Sequence, residues 1–377
     1  MKTKPSKSES ITILLADSDP VALSTMTQAL LTVPDVTVSG GVRSRDMLIA
    51  RIKHIDVDLL ILDLDAEGLG GVTVMDEIRD LRPDIPVLIV YDSGKSNPET
   101  AVKALQMGAS DCIQKPGDPE SLSFREFRLQ LLTILGLVKS RKAFGRKHRR
   151  PTGGTSRQVP EPARDQRLSP SRDLAPGVTV RPGRIKVVVI ASSTGGPGAL
   201  VEILPRLPAD LGVPVLLVQH MPSHMTSSFA KSLDARCAVS VVEALDGDEI
   251  LPSRVYVAPG GRHLAVSPRD GHNRRFIRLT DAPPENSVRP SADVLFRSVA
   301  DSYEGAILAV ILTGMGEDGK KGVMAMKEKG CICFTQNPDS CVVYGMPRAV
   351  DDAGLSDASL DLDLIPIKLA AAVKQGL

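Results

Sequence analysis

Short apolar runs, separated by stretches with helical spacing, recur through both halves of this 377-residue chain. Strands that lack polar alternation are typical of parallel sheets covered by helices on both faces. Five repeats of this pattern before residue 140 predict a small doubly wound domain. Its predicted strands are Ile11–Leu15, Val36–Val38, Leu59–Leu62, Val87–Val90 and Cys112–Ile113, and its predicted helices are Val21–Val33, Ser44–Ile55, Val72–Leu81, Glu99–Met107 and a last one from about Glu120 to Lys139.

The same alternation resumes after residue 184 and predicts a second, larger domain with a parallel sheet. The predicted strands are Lys186–Ile190, Val213–Val218, Val255–Val257, Ala306–Leu312 and Ile332–Thr335, and the predicted helices are Ala199–Leu204, Ser227–Leu233, Ala292–Val299 and Val323–Glu328. The expected fold class is therefore α/β, with two doubly wound parallel-sheet domains, the first of flavodoxin type.

Residues 141–184 interrupt this alternation. They are rich in Pro, Arg, Ser and Gly and contain few large apolar side chains, so they cannot bury enough surface to offset their ordering entropy. We predict a disordered, flexible basic linker, which serves either as a solubilising tether or as an electrostatic contact for an acidic partner. The predicted domains are residues 10–140 and 185–377.

Composition argues against several classes of protein. The formal net charge is only +1, so we expect no electrostatic field that would attract nucleic acid. Aromatic residues make up 3% of the chain, so we expect no aromatic platform on which bases could stack. No apolar run approaches the ~20 residues of a membrane span, and the N-terminus lacks the apolar core of a signal peptide. The five scattered cysteines indicate reduced thiols rather than disulfides or a zinc site. We expect a cytoplasmic protein without nucleic-acid binding or membrane insertion.

The strongest chemical signal follows the apolar run Val187–Ile190, where Ser192, Ser193 and Thr194 precede three glycines within four residues. In a parallel sheet these hydroxyls lie at the carboxyl edge, where ligands bind. One interpretation is a phosphate or dinucleotide cradle, although the G-x-G-x-x-G spacing and the phosphate-binding lysine are absent. The other interpretation is a catalytic serine, which requires a base nearby.

His220 ends the next predicted strand, so it should face the same crevice as the serines and could act as that base. The strand Ala306–Leu312 ends in a Gly-rich turn that contains Glu317 and Asp318, and a carboxylate there would hold the histidine tautomer. The alternative for Asp318 is a turn residue before Gly319. The order Ser, His, Asp and the lack of a G-x-S-x-G elbow argue against an α/β-hydrolase fold.

Six motifs in this half resemble the catalytic domain of the chemotaxis methylesterases, the CheB family, over nearly all of residues 185–377. The motifs are Ala191-Ser-Ser-Thr-Gly-Gly, Val218-Gln-His-Met-Pro222, Tyr256-Val-Ala-Pro-Gly260, Arg289-Pro-Ser-x-Asp-Val-Leu-Phe296, Ile311-Leu-Thr-Gly-Met-Gly-x-Asp-Gly319 and Val342-Val-Tyr-Gly-Met-Pro347. The resemblance implies a triad with Ser193 as nucleophile, His220 as base and Asp318 as orienting acid. Ser192 departs from the family, which usually has alanine there.

The resemblance also implies the reaction, which is hydrolysis of glutamate methyl esters on methyl-accepting chemoreceptors, with deamidation of glutamines there. Backbone N–H groups near Thr194 and in the turn around Met315 are the expected oxyanion donors. Catalysis of this kind needs no metal or organic cofactor. Two other classes of protein remain as alternatives. One is a catalytically idle regulatory or scaffolding protein, and the other is a DNA-binding response regulator, although no helix-turn-helix pattern follows the linker.

The N-terminal half resembles a response-regulator receiver domain. Asp63 matches the phosphoacceptor, Asp17 matches one of the two acids that bind Mg²⁺, and Lys115, before Pro116, matches the receiver lysine and its cis-proline. The resemblance implies Mg²⁺ at Asp17 and Asp63 and a sensor histidine kinase of the CheA type as phosphodonor. It also implies that the receiver covers the active site until it is phosphorylated.

Three positions depart from the receiver pattern. Ser18 stands at the second acidic position, Tyr91 at the switch hydroxyl position, and Ala66-Glu67 where Met-Pro is usual. Because Mg²⁺ wants near-octahedral oxygen ligation, the loss of one carboxylate weakens its binding. Two interpretations therefore stay open, namely control by phosphorylation and a pseudo-receiver that docks partners or blocks the site constitutively.

Overall fold

The computed structural model describes residues 10–92, 97–116, 121 and 185–375, and all of 124–139 except 126, 129, 133 and 137. The predicted linker, residues 141–184, lies outside the described residues. In the described part of the chain, no helix is long and apolar enough to cross a membrane.

The first sheet has five parallel strands in the order β2-β1-β3-β4-β5, which is the flavodoxin-like order. Its strands are β1 (Ile11–Ala16), β2 (Val36–Val42), β3 (Leu59–Asp63), β4 (Val87–Tyr91) and β5 (Asp111–Gln114), and its helices are α1 (Pro20–Leu31), α2 (Arg45–His54), α3 (Thr73–Leu81) and α4 (Pro98–Gln106). β3 and β4 are buried at every position, as strands covered on both faces should be. The described residues of 124–139 are helical, and Phe127 and Leu131 pack on the core beside Ile13.

The second sheet has seven strands in the order β14-β13-β12-β6-β7-β9-β8, and all its neighbours pair in parallel. Its strands are β6 (Val187–Ser192), β7 (Val215–Gln219), β8 (Ser240–Glu243), β9 (Arg254–Val257), β12 (Ile307–Ile311), β13 (Ile332–Gln336) and β14 (Ala358–Leu360). The helices are α5 (Gly196–Ile203), α6 (Ser223–Asp234), α7 (Ala292–Tyr303), α8 (Lys320–Glu328), α9 (Met346–Asp352) and α10 (Ile365–Gln375). An antiparallel hairpin of β10 (His263–Val266) and β11 (Ile277–Thr280) packs against α7.

The predicted fold class, two parallel-sheet α/β domains, is confirmed. Each predicted strand, and each predicted helix before Glu120 or after the linker, has a counterpart in the structure with ends that differ by a few residues. The strands β8 and β14 and the β10–β11 hairpin were not predicted. The domain boundaries stay predictions.

The strand order of each sheet reverses beside its first strand, and the reversal opens a crevice at the carboxyl edge. In the first sheet Asp17 follows β1 and Asp63 ends β3, on the two sides of that crevice. In the second sheet Ser193 follows β6 while its neighbours β7 and β12 lie on either side. The topology therefore brings the candidate residues of each domain to one crevice.

Candidate active site

The three candidate catalytic residues follow three adjacent parallel strands. Ser193 comes after β6, His220 after β7 and Asp318 in the turn beyond β12. Ser193 and His220 line the same small cavity, and Asp318 contacts the histidine ring. The structure thus brings together the three residues that the sequence singled out, and their catalytic roles stay a prediction.

The imidazole of His220 contacts the acid through Nε2, which lies 2.8 Å from Oδ2 of Asp318. With Nε2 donating its proton to the carboxylate, Nδ1 is the ring nitrogen that remains as a base. Among the described residues, no hydrogen bond joins the Ser193 hydroxyl to this ring. Such bonds are often long in a site without substrate and tighten when substrate binds.

The Asp318 carboxylate lies at the N-terminus of α7, where backbone N–H groups favour a negative charge. It accepts hydrogen bonds from His220 Nε2 (2.8 Å), Ser291 Oγ (2.6 Å), Ala292 N (2.6 Å), Asp293 N (3.2 Å) and Asn286 Nδ2 (2.9 Å). Burial raises the pKa of Asp318, but the hydrogen bonds and the charge of His220 outweigh it and lower the pKa to about 2. The carboxylate is therefore ionised, and its partners come from distant segments rather than from its own turn.

The turn that holds Ser193 is fixed by backbone bonds and by a close approach. The Ser193 N–H donates to the carbonyl of Thr313 at 3.1 Å. A Cβ at Gly314 would lie only 2.9 Å from the Ser193 Cβ and 2.4 Å from the Met346 sulfur, so only glycine fits there. The Gly-rich turn after β12 therefore supports the serine directly.

Thr194 and Met315, which the sequence suggests as oxyanion donors, flank this contact. Thr194 is buried, whereas Met315 is partly exposed. In the described part of the chain neither backbone N–H has a hydrogen-bond acceptor. Unpaired N–H groups beside a nucleophile are what a developing oxyanion requires.

Gln219, the last residue of β7, was not predicted to belong to the site. Its side chain is 2% exposed, and its amide contacts both the Ser193 and the His220 backbone. The signal in the sequence is a polar residue at the end of the otherwise apolar strand Val215–Gln219. A buried polar side chain must find hydrogen-bond partners, so a polar residue at such a strand end indicates a structured polar contact.

The receiver pocket brings together the three residues that the sequence selected there. The Lys115 ammonium lies 2.6 Å from Asp63 Oδ2 and 2.7 Å from Asp17 Oδ2, and both carboxylates are buried. Burial raises the pKa of Asp63, partly opposed by its hydrogen bond with Lys115. Burial lowers the pKa of Lys115, but its hydrogen bonds to the two acids outweigh this and the net shift is upward.

The departures from the receiver pattern have structural consequences. The Asp19 carboxylate, next to Ser18, accepts from the Val21 N–H at 2.8 Å and caps α1. The Tyr91 ring packs against the ring of His224 on α6, with centroids 5.4 Å apart. Burial raises the pKa of Tyr91 to about 12.

The expected cis-proline at Lys115–Pro116 is wrong. Among the described residues the cis peptide bond is Arg289–Pro290, so Lys115–Pro116 is trans. The trans form is the intrinsically preferred one for a peptide bond that precedes proline.

Receiver residues cover the candidate active site. Thr194 Oγ1 donates to Asp111 Oδ2 at 2.6 Å, and the Gly195 N–H donates to the Ser110 carbonyl at 3.0 Å. The cavity that remains beside Ser193 measures about 20 Å³. Such a volume holds a single water molecule, so little open space remains between Ser193 and these receiver residues.

Comparison with known proteins agrees with both halves of the structure. The family described as CheB methylesterase matches residues 188–369, and the response regulator receiver domain matches residues 13–125. A protein-glutamate methylesterase/protein-glutamine glutaminase of Desulfotalea psychrophila is 35% identical over 97% of this chain and 99% of its own length. The chain belongs to the CheB methylesterase family.

Other CheB proteins match either the whole chain or one of its two halves. The Rhizobium etli protein of the same name is 37% identical, over 97% of this chain and 98% of its own. The crystal structure of the Thermotoga maritima CheB methylesterase catalytic domain is 42% identical, with a TM-score of 0.49, and covers 50% of this chain and 98% of that one. The response regulator domain of Thermotoga maritima CheB is 21% identical, with a TM-score of 0.31, and covers 35% of this chain and 97% of that one.

The pKa of Asp318 makes stability depend on pH. Folding lowers this pKa from 3.8 to about 2. The stabilisation that the ionised carboxylate gives the folded state is therefore present above pH 4 and is lost as the pH falls towards 2. We expect Asp318→Asn to lower the free energy of unfolding by about 2 kcal/mol at pH 7, and this deficit to narrow below pH 4. Urea denaturation of the wild type and of Asp318→Asn at pH 7, 5, 4 and 3 measures this difference in the free energy of unfolding. A difference that stays constant down to pH 3 would contradict the lowered pKa of Asp318.

Proposed function

We propose that this chain hydrolyses glutamate methyl esters, and deamidates glutamines, on methyl-accepting chemoreceptors. The observation that carries the proposal is the ionised Asp318 bonded to His220 beside Ser193 at the switch point of the sheet. The substrate class is supported by the relatives, which are named protein-glutamate methylesterase/protein-glutamine glutaminase. We further propose that the protein works in the cytoplasm.

The geometry supports a two-step acyl transfer. Ser193 Oγ attacks the ester carbonyl while Nδ1 of His220 takes its proton, and the oxyanion faces the N–H groups of Thr194 and Met315. His220 then gives the proton to the leaving oxygen, so that methanol departs and the acyl group stays on Ser193. A water that His220 deprotonates cleaves this ester and releases the glutamate carboxylate. A glutamine would lose ammonia by the same route.

Replacing the nucleophile tests the mechanism. We expect Ser193→Ala to lower methanol release from methylated chemoreceptor by at least ~10²-fold, because a triad without its nucleophile retains only residual catalysis. The matched control is Ser192→Ala, which we expect to be mild because this position is not the proposed nucleophile and usually holds alanine in the family. Near-normal turnover by Ser193→Ala would contradict the assignment, and an inactive wild type would favour the idle scaffold.

We also propose that Asp63 accepts a phosphoryl group from a sensor histidine kinase of the CheA type. Mg²⁺ is usually held by one or two carboxylates and by phosphate oxygens, and Asp17 and Asp63 offer two carboxylates at one crevice. The Asp17 carboxylate is buried, and its Oδ2 atom lies 2.7 Å from the Lys115 ammonium. Among the described residues no cluster of three His, Cys, Asp or Glu side chains could hold a metal by itself. The bound ion would neutralise phosphoryl charge.

Phosphodonor dependence tests the receiver. We expect a small-molecule phosphodonor with Mg²⁺ to raise methanol release by the full-length protein, because phosphorylated Asp63 would rearrange its contacts with Lys115. Asp63→Asn should abolish the increase and keep the basal rate. A basal rate that ignores the donor would instead support the pseudo-receiver.

The basal rate should depend on how firmly the receiver covers the site. We expect Asp111→Ala to raise basal methanol release about 2- to 10-fold, because it removes one hydrogen bond, worth about 0.5–1.5 kcal/mol, from the closed arrangement. The control is Asp84→Ala, an exposed receiver carboxylate that pairs with Arg82 instead. Equal basal rates in Asp111→Ala and wild type would argue that the Thr194–Asp111 hydrogen bond does not help the receiver to cover the site.

A further inference from the structure

The amide of Gln219 spans the gap between the candidate nucleophile and the candidate base. Its Nε2 lies 3.0 Å from the carbonyl oxygen of Ser193 and 3.0 Å from that of His220. Its Oε1 accepts a hydrogen bond of 2.7 Å from the Ser192 hydroxyl. The Gln219 side chain and Ser192 are both buried, so no solvent competes for these bonds.

Chemistry fixes the orientation of this amide. Both carbonyls can only accept, so the NH₂ group must face them, and its two hydrogens supply one bond to each. The Oε1 atom then needs a donor, and the hydroxyl of Ser192 provides it. An amide turned the other way would set an oxygen against two carbonyl oxygens.

The Gln219 amide bridges the two carbonyls at the point where the β6–β7 ladder ends. The β6–β7 ladder runs to the pair Ser192 and Gln219, and its last backbone bond joins His220 N to Ser192 O at 3.0 Å. Beyond that point the segments that follow β6 and β7 leave the ladder and continue as separate loops. The Gln219 side chain continues the cross-strand bonding by one step and joins the peptide groups that carry Ser193 and His220.

Gly196 gives independent evidence that the fold leaves room for this amide. A Cβ at Gly196 would lie 2.1 Å from Gln219 Oε1 and 2.7 Å from the Ser192 Cβ. The backbone torsion of Gly196 is not of the kind that requires glycine. The room left by its missing side chain is occupied by this amide.

We propose that Gln219, whose amide is oriented by the two carbonyls to which it donates, is a positioning residue that holds the nucleophile and the base at their working separation. The proposal rests on the proposed function of Ser193 and His220. It concerns the turnover step rather than substrate affinity, because the bridge touches backbone atoms of the catalytic residues and lies beneath them. A misplacement of about 1 Å at such a site can lower the rate 10²-fold.

The test uses the full chain and two variants, with kcat, KM and the thermal midpoint measured for each by methanol release and by unfolding. Gln219→Met keeps the side-chain volume but removes the bridge and leaves the Ser192 hydroxyl without its acceptor. The double variant Ser192→Ala/Gln219→Met also removes that stranded hydroxyl. We expect kcat to fall about 10- to 100-fold in both, KM to stay within twofold, and the double variant to regain thermal stability but not kcat.

Two comparisons separate positioning from general destabilisation. Ile365→Val removes one methylene from the buried start of α10, away from the site, and should lower the thermal midpoint while kcat stays at the wild-type value. If Gln219→Met does not fold, Gln219→Glu serves instead, because it keeps the shape but turns an oxygen towards both carbonyls. Its kcat should fall in the same range.

Recovery of kcat together with stability in the double variant would overturn the proposal, since Gln219 would then only satisfy a buried hydroxyl. A rise in KM at unchanged kcat would also overturn it. An inactive wild type would overturn the proposed function itself, and the role of Gln219 with it. Wild-type turnover that Ser193→Ala abolishes would support the proposed function whatever the Gln219 variants do, so the two failures are distinguishable.

Discussion

The catalytic site depends on the hydrogen bonds that the buried Asp318 carboxylate accepts. It stands in the turn after β12, yet its donors are His220 after β7, the N-terminus of α7 and the loop residue Asn286. A buried charge persists only where hydrogen bonds replace its lost hydration. These segments therefore cannot separate without leaving the charge unpaired. The second buried acid nearby, Asp293, has its pKa raised by burial and shares the Asn286 amide with Asp318.

The serine side of the site is held by neutral groups. Gln219 bridges two carbonyls with an amide, and Gly314 lets the turn after β12 press against Ser193. This division suits the proposed chemistry, in which the carboxylate in contact with the His220 ring stabilises its protonated form. The same loop thus contributes the acid at one end and the support of the nucleophile at the other.

The residues whose position follows from strand ends could be predicted from the sequence. Ser193, His220 and Asp63 each come directly after or at the end of an apolar run, and parallel topology brings such positions together. The donors of Asp318 could not, because Asn286 and Ser291 meet it only through tertiary packing. Asp111 also escaped prediction, since docking of one domain on another leaves no period in either sequence.

The contact that covers the site is of a kind that can be released. Asp111 is an acid held at the boundary between the domains, where burial raises its pKa and the Thr194 hydrogen bond opposes that rise only in part. An ionised carboxylate in such a position costs free energy that full hydration would recover. The closed arrangement therefore combines a specific hydrogen bond with an electrostatic penalty. Tyr91, at the end of β4, contacts His224 across the same boundary, so a rearrangement in the receiver pocket has a direct route to the residues that cover the site.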